Sequence, residues 1–138
     1  MQRAGCALRR GVIVIVGLGI DLIENGRVEQ ELARGEWLRE DGIFGGEEIR
    51  HCSTGKKPAL RYAACFAAKE AALKALGAAV GDLAVFREVE VEFGTDSEYA
   101  IVLHDRLRSE ARRLGVRHIN LSITTTKTQT GAMVILES

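Results

Sequence analysis

The run Leu60-Arg-Tyr-Ala-Ala-Cys-Phe-Ala-Ala-Lys-Glu-Ala-Ala-Leu-Lys-Ala-Leu76 decides how the rest of the chain is read. Ala, Leu, Lys, Arg and Glu dominate it, and neither Gly nor Pro interrupts it, so it reads as a helix. Glu70 lies four residues after Phe66 and three before Leu73, which puts its carboxylate on the face carrying those apolar side chains. A carboxylate on a core-facing stripe is costly unless a cation or hydrogen bonds satisfy it. Lys74, one turn further on, is one candidate partner; a bound divalent metal is the other.

The chain has 138 residues, enough for one domain with a real core. Formal net charge is zero, so no global field favours nucleic acid or an anionic membrane. The three cysteines, Cys6, Cys52 and Cys65, show no paired spacing, which suits a reducing cytoplasm. Val12–Ile20 is the longest apolar stretch and is too short to span a bilayer, which takes about 20 residues. Arg9 and Arg10 precede it, but Asp21 follows where a signal peptide would carry a small-residue cleavage site.

Residues 1–13 read as an N-terminal extension and residues 14–138 as one domain. Val12–Ile20 is β-branched and apolar throughout, like a strand covered on both faces. Arg27–Arg34 and Glu47–Cys52 fit helices, whereas Gly35–Phe44 has no clear period. Gly77 is a natural stop for the long helix. Arg87–Phe93 alternates charged and apolar residues and reads as a strand with one wet face, followed by a strand at Tyr99–Leu103. His104–Leu114 fits an amphipathic helix closed by Gly115. Asn120–Thr126 and Thr130–Leu136 fit a closing hairpin. This order predicts an α+β domain with a mostly antiparallel sheet.

Asp21 directly follows the first apolar run, where it reads either as a rigidly held site carboxylate or as an ordinary helix N-cap. Paired with Glu70 it becomes a candidate Mg²⁺ site, because Mg²⁺ takes hard oxygen ligands and keeps several waters for phosphate to replace. Lys69 and Lys74 are candidate phosphate contacts, although periodicity alone places Lys69 on a solvated face. Ser122-Ile-Thr-Thr-Thr is rich in hydroxyls that could meet a phosphate, and equally reads as the exposed face of a hairpin. Gly17-Leu-Gly lacks the third glycine of a dinucleotide-binding turn. His51, His104 and His118 have no metal-ligand spacing and read as surface residues. No internal Ser-His-Asp or Cys-His arrangement is evident.

In this order the pieces resemble the holo-acyl-carrier-protein synthase family of 4′-phosphopantetheinyl transferases, from Val14 to the C-terminus. The resemblance is carried by Val16-Gly-Leu-Gly-Ile-Asp-Leu-Ile-Glu24, Phe44, Glu48–Cys52, Arg61–Gly77 with Phe-Ala-Ala-Lys-Glu-Ala at its centre, Arg87–Val91 and Leu121-Ser-Ile-Thr124. It implies an α+β fold with a mostly antiparallel sheet wrapped against a long central helix. It also implies transfer of 4′-phosphopantetheine from coenzyme A to a serine of an apo acyl carrier protein of fatty-acid or polyketide synthesis, releasing 3′,5′-ADP.

By position, the resemblance makes Asp21 and Glu70 ligands of Mg²⁺ and Lys74 a phosphate contact, these three forming the catalytic set. Lys69, Ser122, Thr124 and Thr125 fall near bound coenzyme A, and Arg27 falls where the family meets the acidic carrier protein. Family members of this length are typically homotrimers with the site between subunits. Three positions depart from the pattern. Thr125 stands in place of a histidine, Cys65 in place of an arginine, and Gly94-Thr-Asp-Ser in place of a Gly-Lys-Pro turn. A member without transferase activity that still binds carrier protein or coenzyme A is the alternative this pattern leaves open.

Overall fold

The computed structural model describes residues 12–79, 81–95 and 98–138. Most of the expected 1–13 extension lies outside them. The order is β1 (Ile15–Glu24), α1 (Asn25–Arg34), a 3-10 turn (Glu36–Leu38), α2 (Gly46–Cys52), α3 (Pro58–Ala75), α4 (Ala84–Arg87), β2 (Val89–Phe93), β3 (Tyr99–Leu103), α5 (Asp105–Arg113), β4 (His118–Thr125) and β5 (Gln129–Glu137). One antiparallel sheet runs β1-β5-β4 and a second, two-stranded one runs β2-β3. The α+β class and the antiparallel pairing expected from the sequence are both present.

Helix α3 is the axis of the fold. Pro58 occupies its first turn, where a missing N–H costs nothing. Every residue from Tyr62 to Lys69 is buried, so the helix is covered all round instead of showing one stripe to the core. Its alanines make this possible by letting β1 approach closely. A Cβ at Gly17 would strike the carbonyl of Ala75, and one at Gly19 the carbonyl of Ala71. The Gly-x-Gly pair is therefore a docking seam between strand and helix, not part of a nucleotide turn.

Strand β1 corrects two expectations. It runs past Asp21 to Glu24, so Asp21 sits within the strand and caps no helix; Glu24 precedes α1 and makes no side-chain cap. Nor is the strand covered on both faces. Leu18, Ile20 and Leu22 are 52%, 57% and 64% exposed, and Met133, paired with Ile20, adds to the same face. The run is apolar throughout because one face uses glycine to meet a helix while the other presents large aliphatic groups. Arg87 also moves: it ends α4, and β2 begins at Val89.

Gly35–Phe44, unreadable from periodicity, supplies Trp37, Ile43 and Phe44 to the core. Trp37 stacks on Phe66 of α3 with ring centroids 4.6 Å apart, and Phe44 meets Tyr62 at 5.0 Å. These aromatics hold the irregular segment against the helix that carries Glu70.

Candidate active site

Asp21 and the end of α3 meet on the helix-facing side of β1. Lys74 Nζ donates to Asp21 Oδ1 at 2.9 Å and to the backbone carbonyl of Ile20 at 3.1 Å. The Lys74 side chain is 49% exposed and that of Asp21 only 13%, so a half-exposed cation covers a largely buried carboxylate. Glu70, one turn before Lys74, is half-buried. Burial pushes its carboxyl pKa up, and the Asp21 charge pushes it further, while Lys74 and Arg27 pull it back. The structure thus brings together the three residues expected to be catalytic. It also sets Arg27, from the first turn of α1, close enough for its charge to reach Glu70.

This donor set fits a hard divalent cation. Two carboxylates supply oxygen and repel one another without a cation between them, and the remaining positions suit water and phosphate oxygens. Among the described residues no group of three or more His, Cys, Asp and Glu forms a candidate ligand cluster. A cation held by Asp21 and Glu70 alone would keep open positions, unlike a closed four-ligand zinc centre.

Lys69 requires a correction. Its side chain is 1% exposed and its ammonium pairs with Glu48 Oε1 at 2.9 Å while donating to the carbonyls of Phe86 and Val89. All three N–H bonds are used inside the core, which leaves none for a phosphate. Burial pulls the ammonium pKa down and Glu48 pulls it back up. Glu48 also accepts the N–H groups of Gly45 and Val91, so one network pins α2, α3 and β2. The solvated face that periodicity suggests is absent because α3 is buried on every side.

The hydroxyl-rich strand divides by face. Strand pleating sends Ser122 and Thr124 to the outer face, in register with Met133 and Gly131 and then with Ile20 and Leu22 of β1. Thr125 falls on the helix-facing side. Thr124 stands apart from the groove that the other two border. Ser122 and Thr125 instead join Arg61, Ala64, Glu98 and Tyr99 around a groove of about 690 Å³. Arg61 donates to the His51 carbonyl at 3.0 Å and to Thr54 Oγ1, so the groove keeps a cation although Cys65 carries none. Cys65 lies beneath the groove wall, fully buried, with its Sγ 3.3 Å from that of Cys52. The shared hydrogen bond and the apolar surroundings push its thiol pKa up.

Sequence reasoning missed a second groove of about 600 Å³ beside α1, where Lys56, Lys57 and Lys127 surround Leu32, Pro58 and Leu60. Buried Asn25 builds it. Its side chain donates to the carbonyls of Thr126 and Lys127 and accepts from Thr130 Oγ1, tying the β4–β5 turn to the start of α1. No linear motif joins lysines so far apart in sequence; the only signal was Asn25 itself, a polar residue at the start of a helix. Two histidines serve structure at half-exposed positions, His51 stacking on Phe93 and His104 pairing with Glu90, while His118 is exposed.

The fold recurs in known proteins. The model of the 4′-phosphopantetheinyl transferase superfamily matches residues 17–128. The holo-acyl-carrier-protein synthase of Syntrophus aciditrophicus is 32% identical over 90% of this chain and 97% of its own. The same enzyme from Anaeromyxobacter sp. (strain K) is 38% identical over 90% and 97%. Among solved structures, the Neisseria meningitidis synthase superposes with a TM-score of 0.78 at 24% identity, covering 91% of this chain and 100% of that one. The Bacillus anthracis synthase, in complex with CoA (3′,5′-ADP), gives a TM-score of 0.69 at 29% identity over 90% and 97%. By its matched span and its relatives, the chain belongs to the holo-acyl-carrier-protein synthase family of the 4′-phosphopantetheinyl transferase superfamily.

Proposed function

We propose that this enzyme moves the 4′-phosphopantetheine arm of coenzyme A onto a serine of an apo acyl carrier protein, releasing 3′,5′-ADP. The observation that carries the reading is the meeting of Asp21, Glu70 and Lys74 across the β1–α3 seam. In the reaction, the carrier serine oxygen attacks the phosphorus that bears the pantetheine arm. The P–O bond to the bridging oxygen breaks, the serine proton is lost, and 3′,5′-ADP leaves with the bonding electrons. Asp21 and Glu70 would hold Mg²⁺, which when bound supplies charge to the pyrophosphate and to the leaving oxygen. Lys74, long and half-exposed, reaches the same phosphates. The nucleophile belongs to the partner, so the enzyme needs none of its own.

Arg27 and the groove of Lys56, Lys57 and Lys127, with Glu29 the one carboxylate lining it, give α1 a net basic border suited to an acidic carrier helix. Within one chain α3 separates the carboxylates from the groove of Arg61, Ser122 and Thr125. The two lie on opposite edges of the β1-β5-β4 sheet, about 10 Å apart by strand spacing. A ligand spanning both sets is served best by two copies joined through the exposed face of Leu18, Ile20, Leu22 and Met133, in a homotrimer. Buried, unbridged Cys52 and Cys65 suit a cytoplasmic enzyme, and no helix among the described residues is long and apolar enough to cross a membrane.

Incubation of several apo carrier proteins with coenzyme A and Mg²⁺, followed by intact mass spectrometry, tests the reading. The expected result is the phosphopantetheine mass increase on one serine, lost with Asp21→Asn. The groove's lack of histidine favours a second reading, binding without transfer. That reading predicts a carrier complex by sedimentation and no mass increase on any carrier.

A further inference from the structure

We propose that Lys74 is a built-in placeholder for the metal: in the ligand-free enzyme its ammonium occupies Asp21, and it must leave before a divalent cation can bind there. The inference rests on the metal site proposed above and concerns how that site is filled.

Three observations converge. Lys74 Nζ lies 2.9 Å from Asp21 Oδ1 and 3.1 Å from the Ile20 carbonyl, so it sits in front of the oxygen a metal would take. A metal ion binds carboxylate oxygen at about 2.0–2.1 Å, leaving no room for an ammonium on the same oxygen and strong repulsion between the two cations. Second, the two partners differ in exposure. Asp21 is fixed mid-strand and 13% exposed, whereas Lys74 is 49% exposed on a flexible four-carbon stem near the end of its helix. Lys74 is the partner able to withdraw. Third, Glu70 stands one helical turn before Lys74 on α3, so the ammonium that holds Asp21 lies beside the second carboxylate as well.

The charges explain the consequence. With Lys74 in place the pair of carboxylates is half neutralised. A divalent cation neutralises both and sets the ammonium free, and an anionic ligand beside the metal then gives that ammonium a new partner. A pyrophosphate-bearing ligand therefore strengthens metal binding by relieving its competitor, and by linkage the metal strengthens ligand binding by the same factor. Metal alone meets a site that is already paired.

Mn²⁺ titration of the full-length protein, read by electron paramagnetic resonance without turnover, tests this with and without saturating coenzyme A. Lys74→Met is expected to bind Mn²⁺ at least about fivefold more tightly than wild type in the absence of coenzyme A. The gain in Mn²⁺ affinity on adding coenzyme A should be large in wild type and should shrink severalfold in Lys74→Met. Lys74→Arg, which keeps the charge, should restore competition. Arg27→Gln removes a unit charge that reaches Glu70 without hydrogen-bonding Asp21, and should change Mn²⁺ affinity less than twofold. Equal or weaker Mn²⁺ binding by Lys74→Met overturns the placeholder while leaving the metal site standing. A matching gain in Arg27→Gln also overturns it, because the general field would then account for the effect. Absence of Mn²⁺ binding to wild type and to Lys74→Met alike, with or without coenzyme A, overturns the metal site itself, and the placeholder with it.

Discussion

Glu70 is half-buried beside a second carboxylate, and both burial and Asp21 favour its protonated form in the folded state. A carboxyl whose folded pKa lies above its unfolded value contributes stability below the unfolded value, and that contribution is lost as pH rises through the folded one. At neutral pH the ionised Glu70 is thus a cost to the metal-free fold. Glu70→Gln should raise the metal-free Tm at pH 7.5 by about 1–3 °C, and the gain should vanish near pH 4. Differential scanning fluorimetry checks both points, and equal Tm values at pH 7.5 would count against the charge repulsion. Its neighbour in sequence behaves oppositely. Lys69 is bound three times over in the core, and its loss leaves Glu48 buried without its cation. Lys69→Ala should cost roughly 3–5 kcal/mol in urea denaturation. A change under about 1 kcal/mol would mean the network carries little.

At the scale of elements, the site depends on how closely β1 lies on α3. Asp21 belongs to the strand and Glu70 and Lys74 to the helix, so their meeting is set by the glycine seam, not by any local motif. A methyl at Gly19 would run into the Ala71 carbonyl and the Ala75 amide, both backbone groups with little freedom to yield. Gly19→Ala is expected to destabilise the fold by roughly 2–3 kcal/mol and to weaken Mn²⁺ binding as the strand lifts from the helix. Gly26→Ala, at a position with open space around its Cβ, is the control and should leave metal binding unchanged. Wild-type metal affinity in Gly19→Ala would show that the site tolerates a looser seam.

Over the whole molecule, the exposed aliphatic face of β1 and β5 is the feature a single chain leaves unfinished. Leu18, Ile20, Leu22 and Met133 form a continuous patch backed by a rigid sheet, and such patches are covered by other chains more often than by water. Ile20→Lys places a charge at its centre. If the proposed trimer forms through this face, sedimentation velocity should show monomers for Ile20→Lys, and transfer activity should fall by about two orders of magnitude. An unchanged sedimentation coefficient would show that this face is not the contact. Retained activity in a proven monomer would place the whole site within one chain.

The sequence by itself determined the element order apart from α4, the α+β class and the residue types at the candidate metal site, since periodicity, turn residues and a diagnostic helix are local properties written along the chain. Asp21, Glu70 and Lys74 stand out as a candidate set because carboxylates among apolar neighbours demand a cation. Only the tertiary structure decided which surroundings each side chain received. Lys69 and Lys74 look alike in a string, yet one lies under α4 and β2 and the other at the open end of the helix. Val12–Ile20 reads as doubly covered, because apolarity says that a face avoids water but not whether its own chain or another copy covers it. Ser122, Thr124 and Thr125 read as one cluster, yet only Ser122 and Thr125 border the groove. Burial and facing are set by contacts between residues far apart in sequence, and those contacts exist only once the chain has folded.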